Sequence, residues 1–205
     1  MKASARDKTR REMRRRRREL GAQARKLAAR AVCRRLNSAR LLRPGMRVGA
    51  YLAVNGELDT APLIRLARRH GCRVFVPVIR SHRVSSMWFL PLSAALQNNR
   101  FATPEPVSGH EQRISPRFLD LVLVPVVAFG VAGERLGSGA GYYDRAFSYL
   151  RTRRSWRKPL LVGVAYHWQL VPSLKAEAWD VPLAAVITDN EIRSFTPSIP
   201  GARGR

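Results

Sequence analysis

The chain has few acidic residues, few cysteines and no long hydrophobic run. Asp and Glu number 14 against 38 Lys and Arg, so the formal net charge is +24. The two cysteines, Cys33 and Cys72, lie far apart and form no CxxC pair, which argues against a zinc site and favours a reduced, cytoplasmic protein. No apolar run is long enough to cross a bilayer, and no apolar segment follows the basic N-terminus. We therefore expect neither a membrane span nor a secretory signal.

What remains is an ordinary globular composition. Hydrophobic residues make up 45% of the 205 residues and charged residues 25%, which excludes a wholly disordered chain and suits one domain. Pro, Gly and Arg dominate the end of the sequence. We therefore predict a single domain over residues 1–195 and a disordered tail over 196–205.

The excess of positive charge begins at the N-terminus but is not confined to it. The first 20 residues hold ten basic and three acidic side chains, and we predict a basic helix over about 7–20. The simplest interpretation of the Arg14–Arg18 run is a solvated helix face. The overall field attracts polyanions, such as nucleic acid, nucleotides, anionic membranes or polyglutamylated substrates, and charge alone does not choose among them.

Apolar segments alternate with a helical pattern in the first half. We predict strands at Arg47–Val54 and Cys72–Ile79 with a helix near Thr60 and Pro62 between them, which is a βαβ unit. Residues 97–116 are polar and proline-rich, which predicts a loop. The pattern as a whole predicts a three-layer α/β/α, Rossmann-like domain with a mainly parallel sheet. Its further strands are Ser86–Leu90, Leu119–Val127, Leu160–Ala165 and, as the last, Leu183–Thr188.

The strongest chemical signal is the string from Arg135 to Asp144, RLGSGAGYYD. It follows a predicted buried strand and opens a predicted helix over 142–150. Glycines at alternate positions allow sharp turns, and backbone N–H groups at a helix start suit phosphate. A tight strand-to-helix turn is the alternative interpretation. The string lacks both the GK[ST] of a Walker A loop and the GxGxxG spacing of a dinucleotide fold.

The whole string resembles the signature of the 5-formyltetrahydrofolate cyclo-ligase family, also called methenyltetrahydrofolate synthetases. Further segments resemble that family in the same order over about residues 6–191. They are Tyr51-Leu52 with Glu57–Thr60, Phe75–Pro77, Pro104–Pro106, Asp120–Phe129, Gly163–Tyr166, Gln169, and Glu177 with Asp180. Ala102 stands where the family usually has glycine, and Arg6 and Thr9 stand where it usually has Lys and Leu.

The resemblance implies a set of site residues. Arg135 and Tyr143 would be catalytic, and Asp144 and Asp180 would hold Mg²⁺. Residues that would line ATP are Arg6, Arg10, Arg135, Leu136, Gly137, Ser138, Gly139, Ala140, Gly141, Tyr142 and Tyr143. Residues that would contact the folate are Leu52, Glu57, Ser138, Gly139, Ala140, Gly141 and Tyr142. The residues alone leave two alternatives open: Glu57 as a loop acid paired with an arginine, and Asp180 as a turn residue.

The resemblance also implies a reaction. ATP would phosphorylate the formyl oxygen of 5-formyltetrahydrofolate, with or without a polyglutamate tail. Attack by N10 would then give 5,10-methenyltetrahydrofolate, ADP and phosphate. No obligate protein partner is expected. The competing hypotheses are a basic nucleic-acid-binding protein, for which no recognised motif is present, and a family member with a changed substrate. Any nucleic-acid binding by the enzyme is expected to be weak and non-specific.

Overall fold

The structure is a computed structural model that describes residues 4–81, 86–93, 95–98, 104–107, 112–152 and 158–196. Apart from Thr196, the predicted tail lies outside these ranges, as does Ala102. No helix in the described part of the chain is long and apolar enough to cross a membrane.

The described residues form four α-helices: α1 (Ala5–Glu19), α2 (Ala22–Ser38), α3 (Ala61–Arg69) and α4 (Tyr142–Ala146). The basic N-terminal helix is confirmed as α1, which begins where the Ser4 hydroxyl accepts a hydrogen bond from the Asp7 amide at 3.2 Å. The helix predicted over 142–150 is shorter. Phe147 ends α4 because its backbone leaves the helical region, with φ −111°, as its side chain enters the core.

A seven-stranded sheet forms the centre of the molecule. Its central strands are parallel, and the first and last strands in spatial order are antiparallel edges. This confirms the α/β fold with a mainly parallel sheet. In spatial order the strands are β11 (Ile192–Ser194), β10 (Ala185–Ile187), β9 (Leu160–Val164), β6 (Leu121–Pro125), β1 (Arg47–Gly49), β2 (Arg73–Ser81) and β3 (Ser86–Pro91).

In the described part of the chain, two small antiparallel pairs lie outside this sheet. They are β4 (Leu96–Asn98) with β5 (Pro104–Pro106), and β7 (Ala128–Phe129) with β8 (Arg135–Leu136). The first pair corrects the prediction of a plain loop over 97–116. The strand β11 corrects the prediction that 183–188 is the last strand. Both errors concern strands of three partly or fully exposed residues, which carry no apolar alternation.

The first predicted strand is also corrected. Pairing stops at Gly49, although burial continues through Ala50 and Tyr51. The Tyr51 hydroxyl donates to the Leu58 carbonyl at 2.9 Å, and the Thr60 hydroxyl donates to the Tyr51 carbonyl. These bonds fold the segment into a buried loop, which has the same apolar composition as a buried strand.

The two faces of the sheet carry separate cores, as the three-layer prediction requires. Leu121 and Leu123 face α2 and α3, whereas Val122 and Val124 face Phe147 and the α4 side. This alternation follows from the two-residue period of a strand. Full burial of each such side chain stabilises the fold by about 1.5–3 kcal/mol.

The order of the strands determines where a ligand can bind. From β1 the chain moves outward to β2 and β3, and it later returns to β6 on the other side of β1 before moving to β9 and β10. The direction of winding therefore reverses between β1 and β6. Crevices at the carboxyl ends of such strands are the usual ligand sites of open α/β sheets.

Candidate active site

A cleft of about 490 Å³ opens at this point of reversal. Pro77 and Ile79 of β2 and the residues Pro125–Val127 at the end of β6 form its floor. The glycine-rich loop 137–141 and Glu57, which follows β1, also line the cleft. The cleft therefore combines an apolar floor with a polar rim that carries both arginines and carboxylates.

The glycine-rich loop needs glycine at two positions. Gly139 has φ 111° and Gly141 has φ 67°, which are backbone conformations that side-chain-bearing residues rarely adopt. Gly141 is also the residue before α4, and Arg145 of that helix donates to the Ala140 carbonyl. The strand β8 and α4 thus hold the loop at both ends, with Tyr142 and Tyr143 at the start of the helix lining the cleft.

Arg135 lies at the base of the loop and is almost fully buried, with 4% of its side chain exposed. It pairs with Asp144 of α4, and the same Asp144 oxygen accepts the Val181 amide at 3.1 Å. The Arg135 guanidinium also lies 5.8 Å from the centre of the Tyr143 ring. Its Nε has no hydrogen-bond partner in the described part of the chain, so a buried donor remains for an anionic ligand.

The helix α1 lies along the loop and presents arginines to it. Arg10 Nε donates to the Gly137 carbonyl at 3.1 Å, and Arg14 donates to the Ser138 carbonyl at 2.7 Å. One turn earlier, Arg6 pairs with Asp180 at 2.9 Å. Met13 anchors the helix, because it is buried in an apolar cluster with Val127, Leu136 and Leu174.

Glu57 lines the same cleft as the glycine-rich loop. Its nearest cation is Arg17 of α1, at 3.6 Å, and the Val54 amide donates to its second oxygen at 3.3 Å. Burial raises the pKa of the Glu57 carboxyl, and the Arg17 charge opposes that rise. Burial also raises the pKa of Tyr143, with the Glu57 charge adding to the effect, so the phenol stays protonated at neutral pH.

Asp144 and Asp180 have the chemistry to hold Mg²⁺ beside a nucleotide. Both line the cleft and both are mostly buried, with 15% and 6% of their side chains exposed. Within the described ranges no group of three or more His, Cys, Asp or Glu could hold a metal unaided. Mg²⁺ needs no such group where phosphate and water complete its shell, since it is commonly held by one or two carboxylates. The donor set therefore fits.

The structure brings most of the predicted site residues into one cleft: Arg6, Arg10, Glu57, Arg135, Gly137, Ser138, Gly139, Ala140, Gly141, Tyr142, Tyr143, Asp144 and Asp180. Two others lie outside its lining. Leu136 is fully buried and can offer a ligand only its backbone, and Leu52 packs partly buried against the core under α2 and α3.

Sequence reasoning missed Arg14 and Arg17, which it assigned to a solvated run. The signal that could have found Arg17 is its spacing from Arg6 and Arg10, because these positions fall on one face of a helix. Glu105 and Trp179 also line the cleft. Glu105 lies in the family-like Pro104–Pro106 segment, whereas Trp179 carries no pattern of its own.

Comparisons with known proteins identify the family. Residues 2–189 match the sequence model of the 5-formyltetrahydrofolate cyclo-ligase family. The 5-formyltetrahydrofolate cyclo-ligase of Escherichia coli strain K12 is 38% identical over 149 residues, covering 71% of this chain and 79% of that protein. The cyclo-ligase of Haemophilus influenzae is 31% identical over 150 residues, with 71% and 76% covered.

Solved structures show the same fold. The 5,10-methenyltetrahydrofolate synthetase of Aquifex aeolicus aligns with a TM-score of 0.78 and 28% identity, covering 98% of this chain and 96% of that one. The synthetase of Mycoplasma pneumoniae aligns with a TM-score of 0.69 at 20% identity, covering 91% and 99%. The chain therefore belongs to the 5-formyltetrahydrofolate cyclo-ligase family, the family of ligases that its sequence motifs predict.

Proposed function

We propose that this enzyme closes 5-formyltetrahydrofolate to 5,10-methenyltetrahydrofolate with ATP, releasing ADP and phosphate. The observation that carries the proposal is the pairing of opposite charges across one cleft. Arg135 pairs with Asp144 and Arg6 pairs with Asp180, all four beside a glycine-rich loop. A magnesium–nucleotide carries both signs of charge, so its phosphates match the arginines and its cation matches the aspartates.

The chemistry starts from an inert formamide. The formyl oxygen on N5 attacks the γ-phosphorus of ATP, and the bond from that phosphorus to the bridging oxygen of ADP breaks. The formyl carbon then carries a phosphate leaving group. N10 attacks this carbon, the carbon–oxygen bond breaks, phosphate leaves and the N10 proton is lost. The five-membered methenyl ring is closed, and no protein nucleophile is needed.

The protein supplies position and charge to this sequence of steps. The Arg135 guanidinium, whose Nε is buried without a partner, would bind the transferring phosphoryl group, where negative charge is spread over several oxygens. The loop 137–141 would contact both substrates. Arg6 and Arg10 would bind the nucleotide phosphates from α1. Tyr143, with its raised pKa, would act as a hydrogen-bond donor and not as a base.

Glu57 would bind the folate. A pterin carries adjacent N–H donors, and a carboxylate accepts two such bonds side by side. The rest of the cleft would then hold the nucleotide, which brings the two reacting groups together as one complex. Asp144 and Asp180 would hold Mg²⁺, whose charge would offset that of the phosphates.

The first test is turnover. Purified enzyme is incubated with 5-formyltetrahydrofolate, MgCl₂ and ATP, and the near-ultraviolet absorbance of the methenyl product is followed. We expect the band to grow only when ATP is present. If the folded protein binds ATP but forms no methenyl product, this proposal is wrong and the enzyme acts on a changed substrate.

A further inference from the structure

Arg17 is the least expected side chain in the cleft, because an arginine inside a run of five arginines would be expected in solvent. Instead it is 4% exposed, while its neighbours Arg16 and Arg18 are exposed. Its Nε has no hydrogen-bond partner in the described part of the chain, and its guanidinium lies 3.6 Å from Glu57. Burying an arginine costs free energy unless a counter-charge offsets it, so Glu57 is its natural counter-charge.

The backbone that carries Glu57 packs closely against the end of α1 that carries Arg17. The turn at Asn55 and Gly56, with φ 52° and 73°, presents Glu57, and a Cβ at Gly56 would lie 2.8 Å from the Arg17 carbonyl oxygen. That same carbonyl accepts Arg25 of α2 at 3.1 Å. The Tyr166 hydroxyl reaches the Gly56 carbonyl at 3.3 Å. Helix α1 and the Glu57 turn are therefore held against each other at a fixed distance.

We infer that Arg17 is a positioning residue that holds the Glu57 carboxylate ionised and directed into the folate side of the cleft. The inference rests on the proposed function and extends it. Arg17 acts through Glu57 and is distinct from Arg6 and Arg10, which would act on the nucleotide. One helix then serves both substrates, with its first half at the phosphates and its last turn at the folate.

The groups around Glu57 make its charge state sensitive to Arg17. The ionisable side chains that interact with its carboxyl are Arg14 and Arg17 from α1, Tyr51 beyond β1, and Tyr143 from α4, and the Tyr166 hydroxyl donates to its backbone carbonyl at 3.4 Å. All three phenols are protonated at neutral pH, because burial raises the pKa of each. Burial also raises the pKa of Glu57, and Arg17 is the largest opposing influence. Loss of the Arg17 charge therefore favours the protonated carboxyl, which accepts fewer hydrogen bonds from a pterin.

The test compares Arg17→Gln with the adjacent exposed control Arg18→Gln in the full-length enzyme. For Arg17→Gln we expect KM for 5-formyltetrahydrofolate to rise about 10- to 100-fold at neutral pH, the cost of a lost hydrogen bond to a charged group. KM for ATP and kcat should stay within about threefold, and Arg18→Gln should change none of the three. The acid limb of the kcat/KM profile for folate should move to higher pH, which a merely structural role would not cause.

Two further variants make the inference falsifiable. Arg17→Lys keeps the charge and should recover part of the loss. Arg17→Gln combined with Glu57→Gln should be no worse than Glu57→Gln alone, because the two act as one unit. Additive losses, an unmoved acid limb, or an effect on KM for ATP alone would each overturn the inference. If Arg17→Gln does not fold, Arg17→Lys should still show a smaller loss of the same kind.

Calorimetric measurement of 5-formyltetrahydrofolate binding without ATP distinguishes a failure of the proposed function from a failure of the role inferred for Arg17. A wild-type enzyme that binds no folate contradicts the proposed function. An enzyme that binds folate equally well before and after Arg17→Gln contradicts only the role of Arg17. Weaker binding by Arg17→Gln with unchanged binding by Arg18→Gln supports both.

Discussion

Two arginine-rich regions of this enzyme differ in where their charges point. On α1, Arg6, Arg10 and Arg17 line the cleft and contact acids or loop carbonyls. On the outer face of α2 and α3, four exposed arginines form no ion pair within the described ranges. We call these the outer arginines: Arg30, Arg34, Arg65 and Arg69. Arginines in the two regions therefore have different consequences, because burial and partners decide what an arginine does.

The largest expected effect lies in the cleft. Arg135→Ala should lower kcat about 100- to 1000-fold, because it removes a buried cation at the transferring phosphoryl group. Steady-state kinetics measure this, and circular dichroism checks that the variant is folded, since Asp144 loses its partner. Turnover near the wild-type value in folded Arg135→Ala would refute the role proposed for this residue.

Substitution of a carboxylate in the cleft should change the dependence of activity on Mg²⁺. Asp144→Asn should raise the Mg²⁺ concentration needed for half-maximal activity about tenfold or more, since a neutral amide is a weaker ligand for a hard cation. A Mg²⁺ titration at saturating substrates measures it. Glu12→Gln, an exposed change on α1, is the control. A normal titration curve for Asp144→Asn would remove this residue from the metal site.

A matched pair of substitutions on α1 tests whether the contacts of an arginine, and not only its charge, decide its effect. Arg10→Ala should raise KM for ATP about tenfold while leaving KM for the folate almost unchanged, because Arg10 contacts the loop at Gly137. Its exposed neighbour Arg11→Ala should leave both values unchanged. Equal effects of the two substitutions would mean that the general field of α1, and not a contact, binds the nucleotide.

The outer arginines should matter little for catalysis. Replacing all four by Gln should leave kcat and both KM values within about twofold, because none lines the cleft. The same variant should lose part of any low-salt binding to unstructured RNA, which filter binding at several salt concentrations measures. Salt-insensitive or sequence-selective RNA binding would instead support the competing nucleic-acid hypothesis.

The last expected effect concerns the stability of the fold at high pH. Burial raises the pKa of Tyr166 to about 12 and raises the pKa of Tyr51 and Tyr143 as well. Between pH 10 and 12 the unfolded chain therefore releases protons that the folded chain keeps, so stability is full below pH 10 and falls above it. Urea unfolding midpoints at pH 8, 10 and 11 measure the fall. A flat profile would show that these phenols are solvated.

Much of the fold could be predicted because its signals are local. The βαβ unit around α3 follows from two apolar runs and the Thr60–Pro62 helix start, and the glycine string marks the loop by its residue types alone. The end of β1 could not be predicted, because buried loop residues such as Tyr51 have the composition of a strand. The short strands β4, β5 and β11 could not be predicted either, because each has only three residues and none carries an apolar alternation.

The side-chain contacts of the candidate site could be predicted less well than the glycine-rich motif. The loop, Asp144 and Asp180 could be named from their resemblance to a family, and all of them line one cleft. The partners of the arginines could not be named, because pairs such as Arg17 with Glu57 and Arg6 with Asp180 join residues far apart in the sequence. Only the packing of α1 against β7 and the glycine-rich loop brings them together.

The central claim is that this cleft transfers the γ-phosphoryl group of ATP to the formyl oxygen. The most direct test uses 5-formyltetrahydrofolate with ¹⁸O in the formyl group and follows the label by mass spectrometry of the released phosphate. We predict one ¹⁸O atom in each phosphate formed with each methenyl product. Phosphate without the label, formed together with methenyl product, would contradict the account.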